Sequence, residues 1–347
     1  MRTLVLPFDQ ASIEQASTLI RAGELVAFPT ETVYGLGARA DQASAVRKIF
    51  EAKGRPSTNP LIVHVADVEA AAALAAEFPP EAERLAEAFW PGPLTLVLKC
   101  RAGAVAGEVT AFGPTIALRV PAAPVARVLL SVCRVPIAAP SANRSTSISP
   151  TTAAHVVKSL GGRIALVLDG GPCEHGIEST IVDLSGLPAK GATLLRPGAV
   201  PIASLRRVVA VDDPGALLVS TRERAPAPGM SERHYAPRAS LVVVPEDEAA
   251  PLLAAKRGLG LLVGAIVRPR QGSFAPPVEI LPEGPEGYAA RLYAALHRLD
   301  DAGCSQIVVA APPSEPGWEA VHDRLRRAAA SPQETGIAEA SSVVVAE

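Results

Sequence analysis

The sequence predicts a protein of the α/β (α+β) class with two domains. Segments typical of strands alternate with segments typical of helices over the first two-thirds of the chain, and the alternation resumes after Ser240. A stretch rich in Pro, Gly and charged residues separates the two parts. The chain has 347 residues, which is enough for two domains of roughly 100–200 residues each.

The elements of the first domain follow from apolar periodicity and from helix-stop signals. Residues 11–23 predict a helix with Ser12 as N-cap and Gly23 as C-cap, and residues 42–54 predict a helix that stops at its terminal glycine. Two adjacent prolines divide the next helical stretch, and a further helix is predicted for SPTTAAHVVKSLGG. Strands are predicted for ELVAFPT, LIVHV, LTLVLK, TIALRV, PIAAPSA, IALVLDGG, STIVDLS and ATLLRPG.

The rest of the chain predicts a linker and a small α/β domain. We place the first domain at residues 1–207, the linker at 208–238 and the second domain at 239–347. The segments LVVV, GLGLLVGAIV and SQIVVAA, with two amphipathic helices, are typical of a parallel, Rossmann-like sheet, although no GxGxxG motif marks a nucleotide site. His234 and Tyr235 lie in the linker, which has no core of its own to bury them.

Composition excludes several classes of protein. The four cysteines lie far apart and form no CxxC pair, so neither a zinc site nor a disulfide framework is suggested. The apolar run at the amino terminus is too short for a signal peptide, and no stretch approaches the roughly 20 apolar residues of a membrane span. The net charge of -2 gives no long-range attraction to nucleic acid. We therefore expect a soluble cytoplasmic protein without membrane contact.

Two short segments concentrate polar side chains next to predicted strands. PTETVYGLG follows a buried strand and predicts either a tight strand-to-helix crossover or a ligand-facing rim at the carboxyl end of that strand. KGRPSTNP places Lys53, Arg55 and Asn59 in one connection. A helix dipole would explain one of these cations, whereas a triphosphate needs point charge, a guanidinium fork and small donors together. His64 in the next strand, taken alone, would more often be a core histidine.

Further polar groups lie in and after later strands. Thr115 and Arg119 share one face of a strand because they are four residues apart. A buried arginine needs a partner, so Arg119 either reaches solvent at an edge or meets an anion, for which a ligand carboxylate is a candidate. The hydroxyls between Ser141 and Ser149 exceed what capping the next helix requires, and a helix N-terminus can cradle a phosphate or a ribose.

Several of these segments together resemble the YrdC/Sua5 family. PTETVYGLG, KGRPSTNPL, PSAN, EST and LRPG occur in the order that the family has them, and the linker PGMSERHYAP with the trailing domain resembles the long, Sua5-type members. The resemblance implies a twisted mixed sheet with a deep, concave basic cleft. It also implies L-threonylcarbamoyladenylate synthase activity, in which L-threonine, bicarbonate and ATP give threonylcarbamoyl-AMP and pyrophosphate.

The resemblance also implies residue roles. Lys53 and Arg55 would act as catalytic residues that hold the phosphates and neutralise the leaving pyrophosphate, and Arg119 would pair with the carboxylate of threonine. His234 and Tyr235 would fold back over the nucleotide as a lid. The implied ATP-binding residues are Lys53, Arg55, Asn59, Thr115, Ser141, Ser149, Arg196, His234 and Tyr235. The implied threonine-binding residues are Thr32, His64, Arg119, Ala139 and Ser179.

Partners and alternatives complete the sequence-based expectations. Mg2+ is expected to arrive with the ATP phosphates, and no protein metal site is predicted. The resemblance implies a separate transferase complex that passes the threonylcarbamoyl group to adenosine 37 of tRNAs. Two alternatives stay open, namely a module that binds double-stranded RNA in a basic cleft, and a carbamoyltransferase module related to that of hydrogenase-maturation proteins. This chain lacks the clustered cysteines that the hydrogenase-maturation proteins carry, which argues against the second alternative.

Overall fold

Two β-sheets, each packed against helices, organise the chain in the computed structural model, which describes residues 2–215, 234–269 and 275–330. Within those ranges the first sheet has eleven strands of mixed direction and the second has four parallel strands. The predicted α/β (α+β) class is therefore confirmed. Of the predicted linker, residues 216–233 lie outside the described residues.

The first sheet has the strand order β1-β8-β2-β3-β7-β4-β6-β5-β9-β10-β11. Its strands are β1 (Leu4–Pro7), β2 (Val26–Pro29), β3 (Tyr34–Arg39), β4 (Ile62–His64), β5 (Leu94–Lys99), β6 (Thr115–Arg119), β7 (Ile137–Ala138), β8 (Leu166–Asp169), β9 (Thr180–Asp183), β10 (Ala192–Arg196) and β11 (Val211–Asp212). The helices of this domain are α1 (Gln10–Arg21), α2 (Ala43–Lys53), α3 (Val68–Leu74), α4 (Pro80–Phe89), α5 (Pro124–Cys133), α6 (Ala153–Leu160) and α7 (Ile202–Arg206). Because β11 pairs with β10, this sheet extends past residue 207, where the sequence placed the end of the domain.

Several helix termini agree with the sequence signals, but α3 ends at Leu74, before the two adjacent prolines, and the first helix has a different N-cap. Gly54 ends α2 in the left-handed conformation with φ of 62°, which glycine adopts without a steric cost. The predicted N-cap of α1 is wrong. Asp9 is the N-cap, since its carboxylate accepts a hydrogen bond from the backbone N–H of Ser12 at 2.8 Å.

The PTETVYGLG segment forms a β-hairpin rather than a crossover to a helix. β2 ends at Pro29 and pairs with β3 in the antiparallel direction. In the turn between them, the Thr30 hydroxyl donates to the backbone oxygen of Val33 at 2.6 Å and accepts from the N–H groups of Thr32 and Val33 at 3.2 Å. These bonds hold the turn in one conformation, with the Thr32 side chain buried.

The second sheet has the order β12-β15-β13-β14, and each of its three strand pairings is parallel, as predicted. Its strands are β12 (Ser240–Val244), β13 (Val263–Val267), β14 (Val278–Ile280) and β15 (Gln306–Ala310). Its helices are α8 (Glu246–Gly258), α9 (Pro285–Asp301) and α10 (Glu319–Ala329). Nowhere in the described ranges does a helix combine the length and the apolar character that crossing a membrane requires.

The two domains share one hydrophobic cluster. Val33, Ile148 and Ile177 of the first domain pack in the same cluster as buried side chains of α9 and α10. The backbones approach closely at Gly176, where an added Cβ would lie 2.3 Å from the backbone oxygen of Ala290. Gly176 also has φ of 60°, so both its space and its conformation require glycine. The second domain is thus held against the side of the first that carries the β2–β3 turn.

Candidate active site

A small cavity of about 50 Å³ lies where the β2–β3 turn, the carboxyl ends of β4 and β6, and the segments beside β7, β9 and β10 meet. His234 and Tyr235, near the end of the predicted linker, form part of its wall. The lining residues are Thr30, Thr32, Val33, Gly35, Arg55, Ile62, His64, Arg119, Ala139, Pro140, Ser141, Glu178, Ser179, Arg196, His234 and Tyr235.

The cavity brings together ten of the fourteen residues that the sequence singled out. All five of the implied threonine-binding residues line it, and so do five of the nine implied ATP-binding residues. The ATP-binding candidates in the lining are Arg55, Ser141, Arg196, His234 and Tyr235. Four candidates do not line it, namely Lys53, Asn59, Thr115 and Ser149.

Two of those four contact lining residues from behind. The ammonium group of Lys53 is buried and donates to the backbone oxygens of Ser141 and Asn143, both at 2.5 Å. Burial lowers the pKa of Lys53 well below its ordinary value, and the charge of Arg55 lowers it further. The Ser149 hydroxyl donates to the Glu178 carboxylate at 2.6 Å. Both candidates therefore reach the cavity only through a neighbour.

The other two lie farther from the lining. Thr115 and Arg119 occupy opposite ends of β6, and four residues of strand span about 13 Å. A shared strand face thus does not place both side chains at one cavity. Asn59 is half-buried in the turn after α2, where its backbone N–H donates to the Pro56 oxygen at 3.3 Å.

Arg119 meets an anion of the protein itself. One of its terminal N–H groups donates to Glu31 at 2.5 Å, another donates to the Thr32 hydroxyl at 2.9 Å, and Nε–H donates to the Gly92 oxygen at 3.2 Å. The second Glu31 oxygen accepts from two backbone N–H groups that follow β6. Burial alone would raise the pKa of Glu31, but the charge and hydrogen bond of Arg119 hold it below its ordinary value.

Two further arginines, Arg55 and Arg196, line the cavity, and the Glu178 carboxylate acts on Arg196. Arg55 donates to the Pro60 oxygen at 3.2 Å, and no carboxylate of the described residues forms an ion pair with it. Burial lowers the pKa of Arg55 to about 10, with repulsion from Arg196 acting in the same direction. The guanidinium of Arg196 donates to the backbone oxygen of Ser179 at 2.9 and 3.1 Å and to its hydroxyl at 3.1 Å. Both arginines stay charged at neutral pH.

Four buried polar atoms of lining residues have no hydrogen-bond partner among the described residues. They are Arg55 Nε, His64 Nδ1, His234 Nδ1 and the Tyr235 hydroxyl. A buried polar atom without a partner costs about 1–3 kcal/mol. Burial, with the charge of Arg119, also lowers the pKa of His64 to about 3, so its ring is neutral. The cavity is therefore arranged for a polar ligand.

His234 and Tyr235 lie near Arg55 and Arg196. Their rings meet edge to face with centroids 4.1 Å apart, and both side chains are buried. Tyr235 has φ of 62°, a strained conformation for a residue with a bulky side chain. Pockets for drug-sized ligands measure roughly 300–1,000 Å³, several times the volume here. In this conformation the pair leaves room only for a small ligand.

Sequence reasoning missed several residues of the site. Glu31 pairs with Arg119, Glu178 joins the wall, and Thr95 contacts the Ser179 hydroxyl at 2.8 Å from the neighbouring strand β5. Glu31 and Glu178 stand inside the quoted motifs PTETVYGLG and EST, so position in a motif was an available signal for both. Nothing in the apolar LTLVLK segment marks Thr95, because cross-strand register decides its contact.

Comparison with known proteins identifies the family. The model described as "Telomere recombination" matches residues 18–198, and the model of the threonylcarbamoyl-AMP synthase C-terminal domain matches residues 200–330. The threonylcarbamoyl-AMP synthase of Pyrococcus abyssi is 43% identical over 92% of this chain and 94% of the relative. The chain belongs to the YrdC/Sua5 family. The resemblance inferred from the motifs is thereby confirmed.

Further relatives agree with this family assignment along most of the chain. The threonylcarbamoyl-AMP synthase of Bacillus subtilis is 40% identical over 93% of this chain and 94% of the relative. The crystal structure of P. abyssi Sua5 complexed with L-threonine superposes with a TM-score of 0.85 at 40% identity, covering 95% of this chain and 98% of that one. This member of the family thus shares both domains with its Sua5 relatives.

Proposed function

We propose that this chain is a threonylcarbamoyl-AMP synthase and that the cavity is its active site. The reaction joins L-threonine, bicarbonate and ATP into threonylcarbamoyl-AMP and pyrophosphate. The observation that carries the assignment of the site is the separation of its cations. Arg119 pairs with Glu31 and Thr32, while Arg55 and Arg196 act on His234, and Arg196 also holds Ser179. Separate cations suit a substrate carboxylate and a triphosphate.

The Arg119 side fits an amino acid. Three of the five guanidinium N–H groups donate to protein atoms in the described part of the chain, which leaves two for a carboxylate. Because Glu31 already balances the charge of Arg119, a threonine zwitterion would add no net charge there. The neutral His64 ring, with Nδ1 unpartnered, can hydrogen-bond the amino or hydroxyl group of threonine.

The Arg55 and Arg196 side fits a nucleotide tail. The threonine amine, once neutral, would form a carbamate by bonding to carbon dioxide with loss of a proton, or to bicarbonate with loss of water. A carbamate oxygen then bonds to the α-phosphorus, and the bond from that phosphorus to the bridging oxygen of pyrophosphate breaks. Charge builds on the leaving group, where two buried guanidinium groups stabilise it. Holding the reactants in register can lower the barrier by about 7–11 kcal/mol.

In this reaction Mg2+ would bind the ATP phosphates, and His234 and Tyr235 would act as a lid over the nucleotide. Mg2+ would arrive with the ATP phosphates, because it usually keeps several waters and binds through substrate phosphates. His234 and Tyr235 would leave the nucleotide side to admit ATP and then close over it. A closed lid would keep water from the carbamate.

The activity itself is tested by pyrophosphate release. We expect release from ATP only when both L-threonine and bicarbonate are present, because the nucleophile forms from those two substrates. A coupled pyrophosphate assay with each substrate omitted in turn measures this dependence. Equal release without threonine would contradict the proposal.

The product sets the cellular context that we propose. Threonylcarbamoyl-AMP is an activated, water-sensitive anhydride, so we infer that a tRNA threonylcarbamoyl-transferase complex consumes it. All four cysteines are free thiols, which is consistent with a reducing cytoplasm. A cavity of about 50 Å³ is too small for a duplex, so it does not favour the double-stranded RNA-binding alternative. The match to the synthase C-terminal domain favours a synthase over a carbamoyltransferase module.

A further inference from the structure

Arg324, on α10 of the second domain, lies buried at the domain boundary beside the cavity. Its side chain is 0% exposed. Its guanidinium donates to Glu178 at 2.7 Å, to the backbone oxygen of Pro197 at 3.1 Å and to Asp323 at 2.5 Å. Glu178 and Pro197 belong to the first domain, and Pro197 directly follows Arg196 of the cavity wall.

The Glu178 carboxylate links the second domain to a predicted nucleotide contact. One of its oxygens accepts hydrogen bonds from Arg324 and from the Tyr293 hydroxyl, the latter at 2.8 Å. The other oxygen accepts from the Ser149 hydroxyl at 2.6 Å. All four side chains are buried. With each oxygen engaged, the carboxylate cannot rotate without breaking a bond, and the Ser149 hydroxyl is fixed with it.

The same two residues of the second domain also hold Tyr235. The Arg324 guanidinium carbon lies 5.0 Å from the centroid of the Tyr235 ring, within the range of a cation–π contact. The Tyr293 ring stacks on Tyr235 at 5.8 Å with an interplanar angle of 27°. Ser149, Tyr235 and the backbone after Arg196 are therefore all positioned from the second domain.

We propose that Arg324 and Tyr293 are positioning residues through which the second domain sets the affinity of the site for ATP. The inference rests on the proposed function and adds to it a role for the second domain. Neither residue lines the cavity. Both contact Glu178 and Tyr235, which line the cavity, while the hydrogen bonds of Arg119 involve neither of them.

The boundary offers a matched control. Lys158 of α6 forms an ion pair with Asp301 of α9, so it also joins the two domains. Its side chain is 37% exposed and does not line the cavity. Replacing it removes one contact between the domains and leaves Glu178, Ser149 and Tyr235 unchanged.

The test uses the full chain and compares Arg324→Met with Lys158→Met. We expect Arg324→Met to raise the KM for ATP by about tenfold or more, as for the loss of a hydrogen bond between charged groups. The KM for threonine should change by less than about threefold, and Lys158→Met should change either KM by no more than about twofold. A rise for ATP no larger than that of Lys158→Met, or an equal rise for both substrates, would overturn the inference.

Tyr293→Phe provides a second test in case Arg324→Met does not fold. It removes one hydroxyl, keeps the ring against Tyr235 and leaves the Arg324–Glu178 ion pair intact. We expect a KM for ATP about threefold higher and an unchanged KM for threonine. An unchanged KM for ATP would overturn the role of Tyr293. If the wild-type chain shows no threonine-dependent pyrophosphate release, the proposed function fails. If it does and Arg324→Met matches Lys158→Met, only this inference fails.

Discussion

Buried arginines with defined partners organise the site at the scale of single residues. Arg119 and Arg324 each pair with a carboxylate that also accepts other hydrogen bonds, Glu31 in one case and Glu178 in the other. Burial would raise the pKa of both carboxyl groups, but the neighbouring arginine lowers each below its ordinary value. A buried ion pair is costly to break because the remaining charge stays out of water.

The role of Arg119 can be separated from the stability of its ion pair. Arg119→Ala removes the group that we assign to the threonine carboxylate, so threonine binding should weaken by about tenfold or more while binding of an ATP analogue changes much less. Titration calorimetry with each ligand measures both affinities.

Glu31→Gln is the matched control, because it breaks the same pair and keeps the guanidinium. Both variants should lose about 3–5 kcal/mol of stability, measured by urea unfolding. Only Arg119→Ala should lose threonine affinity. Comparable losses of threonine affinity in the two variants would assign Arg119 a structural role alone.

Close backbone contacts fix the site at the scale of elements. Gly198, the glycine of the LRPG motif after β10, lies against the segment that leads into β9. A Cβ there would be 2.4 Å from backbone atoms of Ser179 and Thr180 and 2.5 Å from the backbone oxygen of Glu178. Real Cβ atoms do not approach backbone this closely, so one segment would have to move.

Gly198→Ala should therefore lower the free energy of unfolding by about 1–3 kcal/mol and raise the KM for threonine and for ATP, since Ser179 and Glu178 both shift. Urea unfolding and steady-state kinetics measure the two effects. Gly258→Ala is the control, because Gly258 ends α8 with no atom within 4 Å of an added Cβ. A Gly198→Ala protein as stable and active as Gly258→Ala would refute the requirement for close contact.

Elements with clear end signals could be predicted, and others could not. Gly54 predicted where α2 ends, and the two adjacent prolines predicted where α4 begins, because these residues act on their own backbone. Seven of the described elements were not predicted, namely β1, β3, α5 (Pro124–Cys133), α7, β11, α8 (Glu246–Gly258) and β14 (Val278–Ile280). The apolar stretch of α5 lies between two strand-like segments, and β14 has only three residues, so local pattern alone does not separate them from their surroundings.

A pair of histidines joins the domains at the scale of the whole molecule. The rings of His155 on α6 and His297 on α9 stack with centroids 3.8 Å apart. Burial lowers the pKa of His155 to about 4, with Lys158 adding to the effect, and lowers that of His297 to about 3, with His155 adding to it. Arg298 and Asp301 act on this pair as well, in opposite directions. Both rings are neutral at pH 7.

Acidification should therefore destabilise the protein. A histidine whose folded pKa is depressed contributes its full stability above the unfolded pKa of about 6.5, and this stability is lost as pH falls because the unfolded chain takes up the proton first. At pH 5, His297 alone should account for a loss of about 2 kcal/mol relative to pH 7.5.

Urea unfolding of the wild type and of His297→Gln at both pH values measures this contribution. The buried carboxylates titrate lower, since the pKa values of Glu31 and Glu178 lie below the ordinary value of 4.5. The loss of stability between pH 7.5 and pH 5 should be smaller by about 2 kcal/mol in the variant. The same loss in both proteins would show that this ring does not sense pH.

The sequence by itself determined the family, the fold class and most residues of the cavity wall, because short motifs carry the polar side chains and strand ends bring them together. Only the tertiary structure decided that Glu31 balances Arg119, that Thr95 contacts Ser179, and that Arg324 reaches Glu178 from the other domain. These contacts join residues 84 to 146 positions apart. Such pairings depend on sheet register and domain packing, which no local pattern encodes.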